Sequence, residues 1–235
     1  MRKSNALTGK SLAAECTRLD GPNVSREREG METTPDVFIM ETLSFEDELS
    51  EHAEGSFLAH VLKYSRRRQN YFYFRTTDEL KAIAKKFGQS GYRYLHISCH
   101  ANEDGIATTL GSITYAKLGK ILGPYLRGRR VFFSACGAAN QKCADALMKD
   151  TGCFSIMGPS EDVRFDDSAI VWASFYHEVF RFPDEEGANR VSALKRQNIV
   201  DTAQRLAQFY DVPFKFFYCG STGGIKARSF SKQQP

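Results

Sequence analysis

No stretch of this 235-residue chain approaches the roughly 20 apolar residues of a membrane-spanning helix, which speaks against a spanning protein. Charge of one sign is equally scarce. The 32 basic and 28 acidic side chains leave a net charge of +4, and no basic stripe interleaves with aromatics, so nucleic acid is not an expected partner. The densest cluster, Arg66-Arg67-Arg68, reads as a solvated helix end. Neither GxxxxGKS/T nor GxGxxG occurs, which removes the main support for nucleotide chemistry. GxSxG is also missing, which weakens a serine hydrolase. His96 and His100 share a strand face and with Cys99 or Cys136 could ligate zinc, but no CxxC pair or further ligand cluster accompanies them, and no cofactor is expected. Residues 1–30 hold no apolar segment of a secretory signal. The six cysteines, without paired spacing, are therefore expected to be reduced in a cytoplasmic protein, where one can serve as a nucleophile.

What is present is an ordinary globular composition, 42% hydrophobic and 26% charged. Residues 1–35 are expected to form a flexible N-terminal arm, with Met31 a candidate start, and residues 221–235 a loose polar tail. Between them, over 36–220, strands and helices alternate. Six main strands are expected at 37–43, 71–75, 92–98, 130–135, 154–158 and 214–219. Helices are expected at 50–64, from an N-cap at Thr77 to a stop at Gly88, and at 116–122, 140–149, 169–180 and 191–208. Gly111-Ser112 reads as a hairpin turn. This alternation predicts an α/β fold, a three-layer sandwich around a mainly parallel sheet of about six strands.

In such sheets ligand sites lie beyond the carboxyl ends of the strands. Ser98-Cys99-His100-Ala101-Asn102 follows the third strand and Ser134-Ala135-Cys136-Gly137 the fourth. A histidine and a cysteine thus stand at equivalent positions on successive strands. Side by side, the imidazole could take the thiol proton and later protonate a leaving amine, and backbone N–H groups near Ala101 and Cys136 could hold an oxyanion. After the fifth strand, Phe165-Asp166-Asp167-Ser168 offers two acids that either line a pocket or cap the next helix.

These segments carry a family likeness. Tyr94-Leu95-His96-Ile97-Ser98-Cys99-His100-Ala101 resembles the strand and catalytic histidine segment of caspase-fold peptidases. Val131-Phe132-Phe133-Ser134-Ala135-Cys136 resembles the cysteine strand of the CHAT subgroup, the separase-related branch. Ile156-Met157-Gly158, then Phe165-Asp166-Asp167-Ser168-Ala169 and Phe175-Tyr176, resemble its following segments. The resemblance implies a caspase-like sandwich and a cysteine endopeptidase that needs no cofactor, with Cys136 as nucleophile and His100 as acid/base. Ala101 would lend an oxyanion N–H where the family has glycine. The resemblance also implies that Asp167, with Asp166 beside it, lines the first specificity pocket and directs cleavage after Arg or Lys. The protein substrate it implies is one such as a gasdermin-like pore former, in a bacterial defence or cell-death system. The alternative expectation is an inactive binding module on the same fold.

Overall fold

The computed structural model describes residues 33–180, 196–220 and 223–232. Its strands are β1 (Thr34–Glu41), β2 (Gln69–Tyr73), β3 (Tyr92–Ser98), β4 (Gly105–Thr108), β5 (Gly111–Thr114), β6 (Arg130–Ser134), β7 (Ser155–Pro159), β8 (Phe214–Cys219) and β9 (Ile225–Phe230). Its helices are α1 (Phe45–Leu49), α2 (Glu54–Tyr64), α3 (Thr77–Ser90), α4 (Tyr115–Leu122), α5 (Gln141–Met148), α6 (Phe165–Phe180) and α7 (Arg196–Tyr210). The central sheet has seven strands in the order β2-β1-β3-β6-β7-β8-β9. β2, β1, β3, β6 and β7 run parallel, and β8 and β9 antiparallel.

Both faces of the sheet are covered, as the near-continuous apolar strands require. On one face Leu95, Ile97, Val131 and Phe133 pack against Leu80, Ile83 and Phe87 of α3, Leu118 and Leu122 of α4 and Leu147 of α5. On the other, Ile39, Tyr94 and Phe132 pack against Leu58 and Leu62 of α2, Trp172 and Tyr176 of α6 and Ile199 of α7. Residues alternate between the faces with the strand period of two. Even-numbered positions of β3 from Tyr94 onward, and of β6, therefore point toward α2 and α6, while Tyr92 packs on the other face.

The departures from the sequence reading have local causes. The helix expected over 50–64 begins only at Glu54, after Glu51 takes the left-handed conformation (φ 56), and a separate short helix, α1, precedes it. Thr76, one residue before the expected cap, closes a capping box with Glu79 on α3. Gly88 does not end α3. It lets the Tyr125 ring approach to 2.4 Å of where a Cβ would stand, and Gly91 (φ 69) makes the left-handed C-cap instead. The turn of the β4–β5 hairpin is Thr109-Leu110, because Gly111-Ser112 lies inside β5. The seventh strand, β9, occupies 225–230 of the expected polar tail. It reads as polar because it is a sheet edge, where Lys226 and Arg228 face solvent while its backbone pairs with β8. The arm over 1–32 and the start of the helix expected from 191 lie outside the described residues.

α4 and α5 meet at Gly119, where a Cβ would stand 2.3 Å from the Ala146 carbonyl oxygen. Alanine at a helix interior normally gains about 1 kcal/mol over glycine. Here the obstacle is backbone, so the helices must separate, at about 1–3 kcal/mol of overpacking. Gly119→Ala is therefore expected to lower the urea midpoint. A higher midpoint would show that the two helices are free to move apart.

Candidate active site

β3 and β6 are immediate neighbours, and their last paired residues are Ser98 and Ser134. The Cys99 N–H donates to the Ser134 carbonyl at 3.1 Å, which carries the pairing past the strand ends. His100 and Cys136 each stand two residues beyond the Ser98–Ser134 pair. Parallel strands lie about 4.8 Å apart, so the register brings the His100 and Cys136 backbones to neighbouring places at one rim of the sheet.

Cys136 is half-buried and carries a free thiol. Its sulfur accepts the Val163 N–H at 3.4 Å and lies 3.5 Å from the Val163 carbonyl oxygen. The chain leaves the cysteine through Gly137, whose φ of +59° suits glycine. Asn140 then holds that turn, donating to the Gly137 carbonyl at 2.9 Å and capping α5 through Cys143 N–H.

His100 is about half exposed, and its Nε2 lies 2.6 Å from Asp47 Oδ2. Asp47 belongs to the capping box of α1, where Ser44 Oγ donates to the same oxygen at 2.6 Å. Partial burial alone would raise its pKa, but hydrogen bonds from Ser44 and His100 and the His100 charge outweigh that and hold it at about 2. An ionised carboxylate only accepts, so Nε2 must be the donor. In the neutral ring Nδ1 is then the acceptor, free to take a thiol proton. His52 faces the other Asp47 oxygen at 3.5 Å, and its ring stacks on Phe165 at 4.8 Å. Asp47 escaped the sequence reading. The spacing Ser44-x-x-Asp47 marks a capping box, but no local signal links it to a histidine 53 residues away.

Ala101 pairs with Ile106 in an isolated bridge and has ordinary negative φ. Alanine therefore fits this backbone without strain. Neither the Ala101 N–H nor the Cys136 N–H donates to another group among the described residues. Beside His100 and Ala101, a pocket of about 300 Å³ opens against the β4–β5 hairpin, lined by Ile106, Ile113 and Thr114.

The acids after β7 lie in the first turn of α6 and are not buried. Asp166 and Asp167 are 61% and 46% exposed. Arg164 already holds Asp166 with two bonds, at 2.9 and 3.1 Å, and reaches Asp167 at 3.7 Å.

His96 does not reach the site. It is fully buried with its edge toward Trp172, accepts or donates at Tyr176 Oη over 2.9 Å, and is driven by burial to a pKa of about 3. Burial likewise raises the thiols of Cys99, Cys143 and Cys153, the last to about 12. Cys219 is disulfide-bonded, against the expectation that every cysteine is reduced, and Cys16 lies outside the described residues. Among the described residues no grouping of three or more His, Cys, Asp or Glu could hold a metal, and no helix is long and apolar enough to cross a membrane.

Beneath the Cys136–His100 rim lies a buried polar cluster that sequence reasoning also missed. Glu54, the first residue of α2, accepts from Ser98 Oγ at 3.1 Å and lies 2.5 and 2.6 Å from Ser134 Oγ, which in turn is 2.7 Å from Ser168 Oγ of α6. Glu41, at the end of β1, accepts the Gly55 N–H at 2.6 Å, the Ser56 N–H at 3.3 Å and the Tyr71 hydroxyl at 2.6 Å. Desolvation raises both carboxyls, Glu54 to about 7.

No family model matches the sequence, nor does any curated protein match it significantly. Among solved structures, the chain is similar to a secreted C11 cysteine protease from Bacteroides thetaiotaomicron, "iotapain", with a TM-score of 0.53 and 12% identity over 80% of this chain and 67% of that one. It is also similar to the Arg-specific cysteine proteinase gingipain R, with a TM-score of 0.52 and 12% identity over 86% of this chain. It spans only half of gingipain R. Likeness at this identity is a likeness of fold. The chain has the caspase-like sandwich, a mostly parallel sheet between helical layers, that these two cysteine proteases share with it.

Proposed function

We propose that the chain is a cysteine endopeptidase that uses Cys136 as nucleophile and His100 as general acid/base. The observation that carries this reading is the register: a free thiol and an imidazole stand at equal offsets beyond a paired residue of adjacent parallel strands. The fold it shares with two cysteine proteases supports the same chemistry. In the first step Cys136 Sγ attacks the scissile carbonyl while Nδ1 of His100 takes the thiol proton. Asp47, on Nε2, holds the ring in that tautomer and offsets the imidazolium charge. The Ala101 and Cys136 N–H groups receive the developing oxyanion. His100 then returns the proton to the leaving amine. Water, activated by the same ring, hydrolyses the thioester.

Cleavage after Arg or Lys is supported by the acid pair in the first turn of α6, which already engages one guanidinium, that of Arg164. Arg164 must yield when a substrate residue enters, or share the two carboxylates with it. Assignment to the CHAT branch, a gasdermin-like substrate and a defence setting rest on the motif resemblance alone, and a cytoplasmic site of action rests on the unpaired spacing of the cysteines.

An arginyl chloromethylketone is expected to alkylate the wild-type protein at Cys136, and Cys136→Ala to take up none. Wild-type protein left unlabelled, with no peptide cleaved, would indicate an inactive binding module. His100→Ala is expected to lower kcat for an Arg-containing peptide by roughly 10²-fold or more without moving the unfolding midpoint. Asp47→Asn removes the acceptor that selects the tautomer and should lower kcat by roughly tenfold or more. Full activity in that variant would leave Asp47 a helix cap only. Asp167→Ala should raise KM for Arg and Lys peptides about tenfold, as loss of a carboxylate–guanidinium contact implies, while iodoacetamide still alkylates Cys136. An unchanged preference for Arg over neutral residues would remove Asp167 from the pocket.

A further inference from the structure

The Glu54 cluster sits where it can control the site above it. Ser98 and Ser134 precede His100 and Cys136 by two residues each, so they share a sheet face with them, about 7 Å lower on the strands. Glu54 bridges these serines and holds Ser168 of α6 through Ser134, so that one carboxyl joins β3, β6, α2 and α6. All four residues are buried, with Glu54 at 3% exposure.

The two buried acids have different partners. Glu41 accepts two obligate donors, the N–H groups of Gly55 and Ser56 at the start of α2, besides the Tyr71 hydroxyl, a setting suited to a negative charge. Glu54 meets only hydroxyls, which donate or accept equally well. A proton on Glu54 completes the set: it donates to Ser134, Ser134 to Ser168, and Ser168 back toward Glu54 Oε1 at 3.4 Å. The titratable groups facing Glu54 are Glu41 from β1, Cys99 beyond β3 and Tyr176 from α6.

We propose that Glu54, in its protonated form, is a positioning residue for the Cys136–His100 pair, tying the carboxyl ends of β3 and β6 together through Ser98 and Ser134 and thereby setting the distance between thiol and imidazole. This inference rests on the peptidase reading for its effect on turnover but not for its effect on thiol reactivity. Burial places the Glu54 carboxyl at about 7, so neutral and ionised forms exchange within the working pH range of a thiol–imidazole pair.

The test compares Glu54→Gln, Glu54→Ala and Ser134→Ala with wild type. It reads kcat and KM on an Arg-containing peptide, and the rate of iodoacetamide alkylation of Cys136 by peptide mass spectrometry from pH 5.5 to 9. Glu54→Ala and Ser134→Ala are expected to lower both kcat and alkylation at neutral pH about tenfold, with KM within twofold. Glu54→Gln, always uncharged, should stay within threefold of wild type below pH 6, and its alkylation rate relative to wild type should climb as pH passes 7. Wild-type alkylation profiles in Ser134→Ala and Glu54→Gln overturn the proposal, even where Glu54→Ala fails to fold. A ratio of Glu54→Gln to wild type that stays flat with pH overturns the role given to the proton. The two readings separate cleanly. If the wild type cleaves nothing but these substitutions still slow alkylation, the peptidase reading falls and the positioning role stands. If cleavage proceeds and the substitutions leave kcat unchanged, the reverse holds.

Discussion

The parallel pairing of β3 with β6 is the constraint on which the site depends. Register in a parallel sheet is set by the apolar faces on both sides, and a slip of one residue would send each side chain to the opposite face. Here such a slip would bury Phe132 against the wrong helices and turn Cys136 away from His100. The two layers that clamp Leu95, Ile97, Val131 and Phe133 on one face and Tyr94 and Phe132 on the other therefore also fix which residues stand at the rim.

Along β3, the face toward α2 and α6 grows more polar toward the carboxyl end. Tyr94 and Phe132 lie in an aromatic cluster with Trp172, Phe175 and Phe180. His96 comes next, held neutral by burial against Trp172 and Tyr176. Ser98 and Ser134 follow with Glu54, and the half-buried thiol and half-exposed imidazole complete the series. The gradient explains why histidines four residues apart on one strand differ so completely. His96 stands in hydrocarbon, and His100 meets water and a carboxylate.

Much of this was readable in the chain, because β3 and β6 are apolar runs that end in serine. The bounds of β3, 92–98, agree residue for residue, and the positions of His100 and Cys136 followed from them. What escaped were contacts made across the fold. Asp47 and Glu54 belong to short polar stretches whose significance lies in which strand ends they meet, 53 and 80 residues further on. The late start of the first expected helix hung on one left-handed backbone angle at Glu51, which no apolar period records. The polar sequence of β9 concealed a strand because an edge needs only one neighbour to satisfy its backbone.

α1 has five residues and buries none of them, and Phe45 and Leu49 project into solvent at 51% and 86% exposure. A helix this short does not persist on its own propensity. Its anchors are the capping box at Ser44, the pairing of Glu48 with Arg75, and the grip of Asp47 on the imidazole. Local unravelling of α1 and release of the His100 ring from Asp47 are therefore linked, and linkage is reciprocal. Whatever steadies the little helix steadies the orientation of the ring, and whatever draws the ring away loosens the helix.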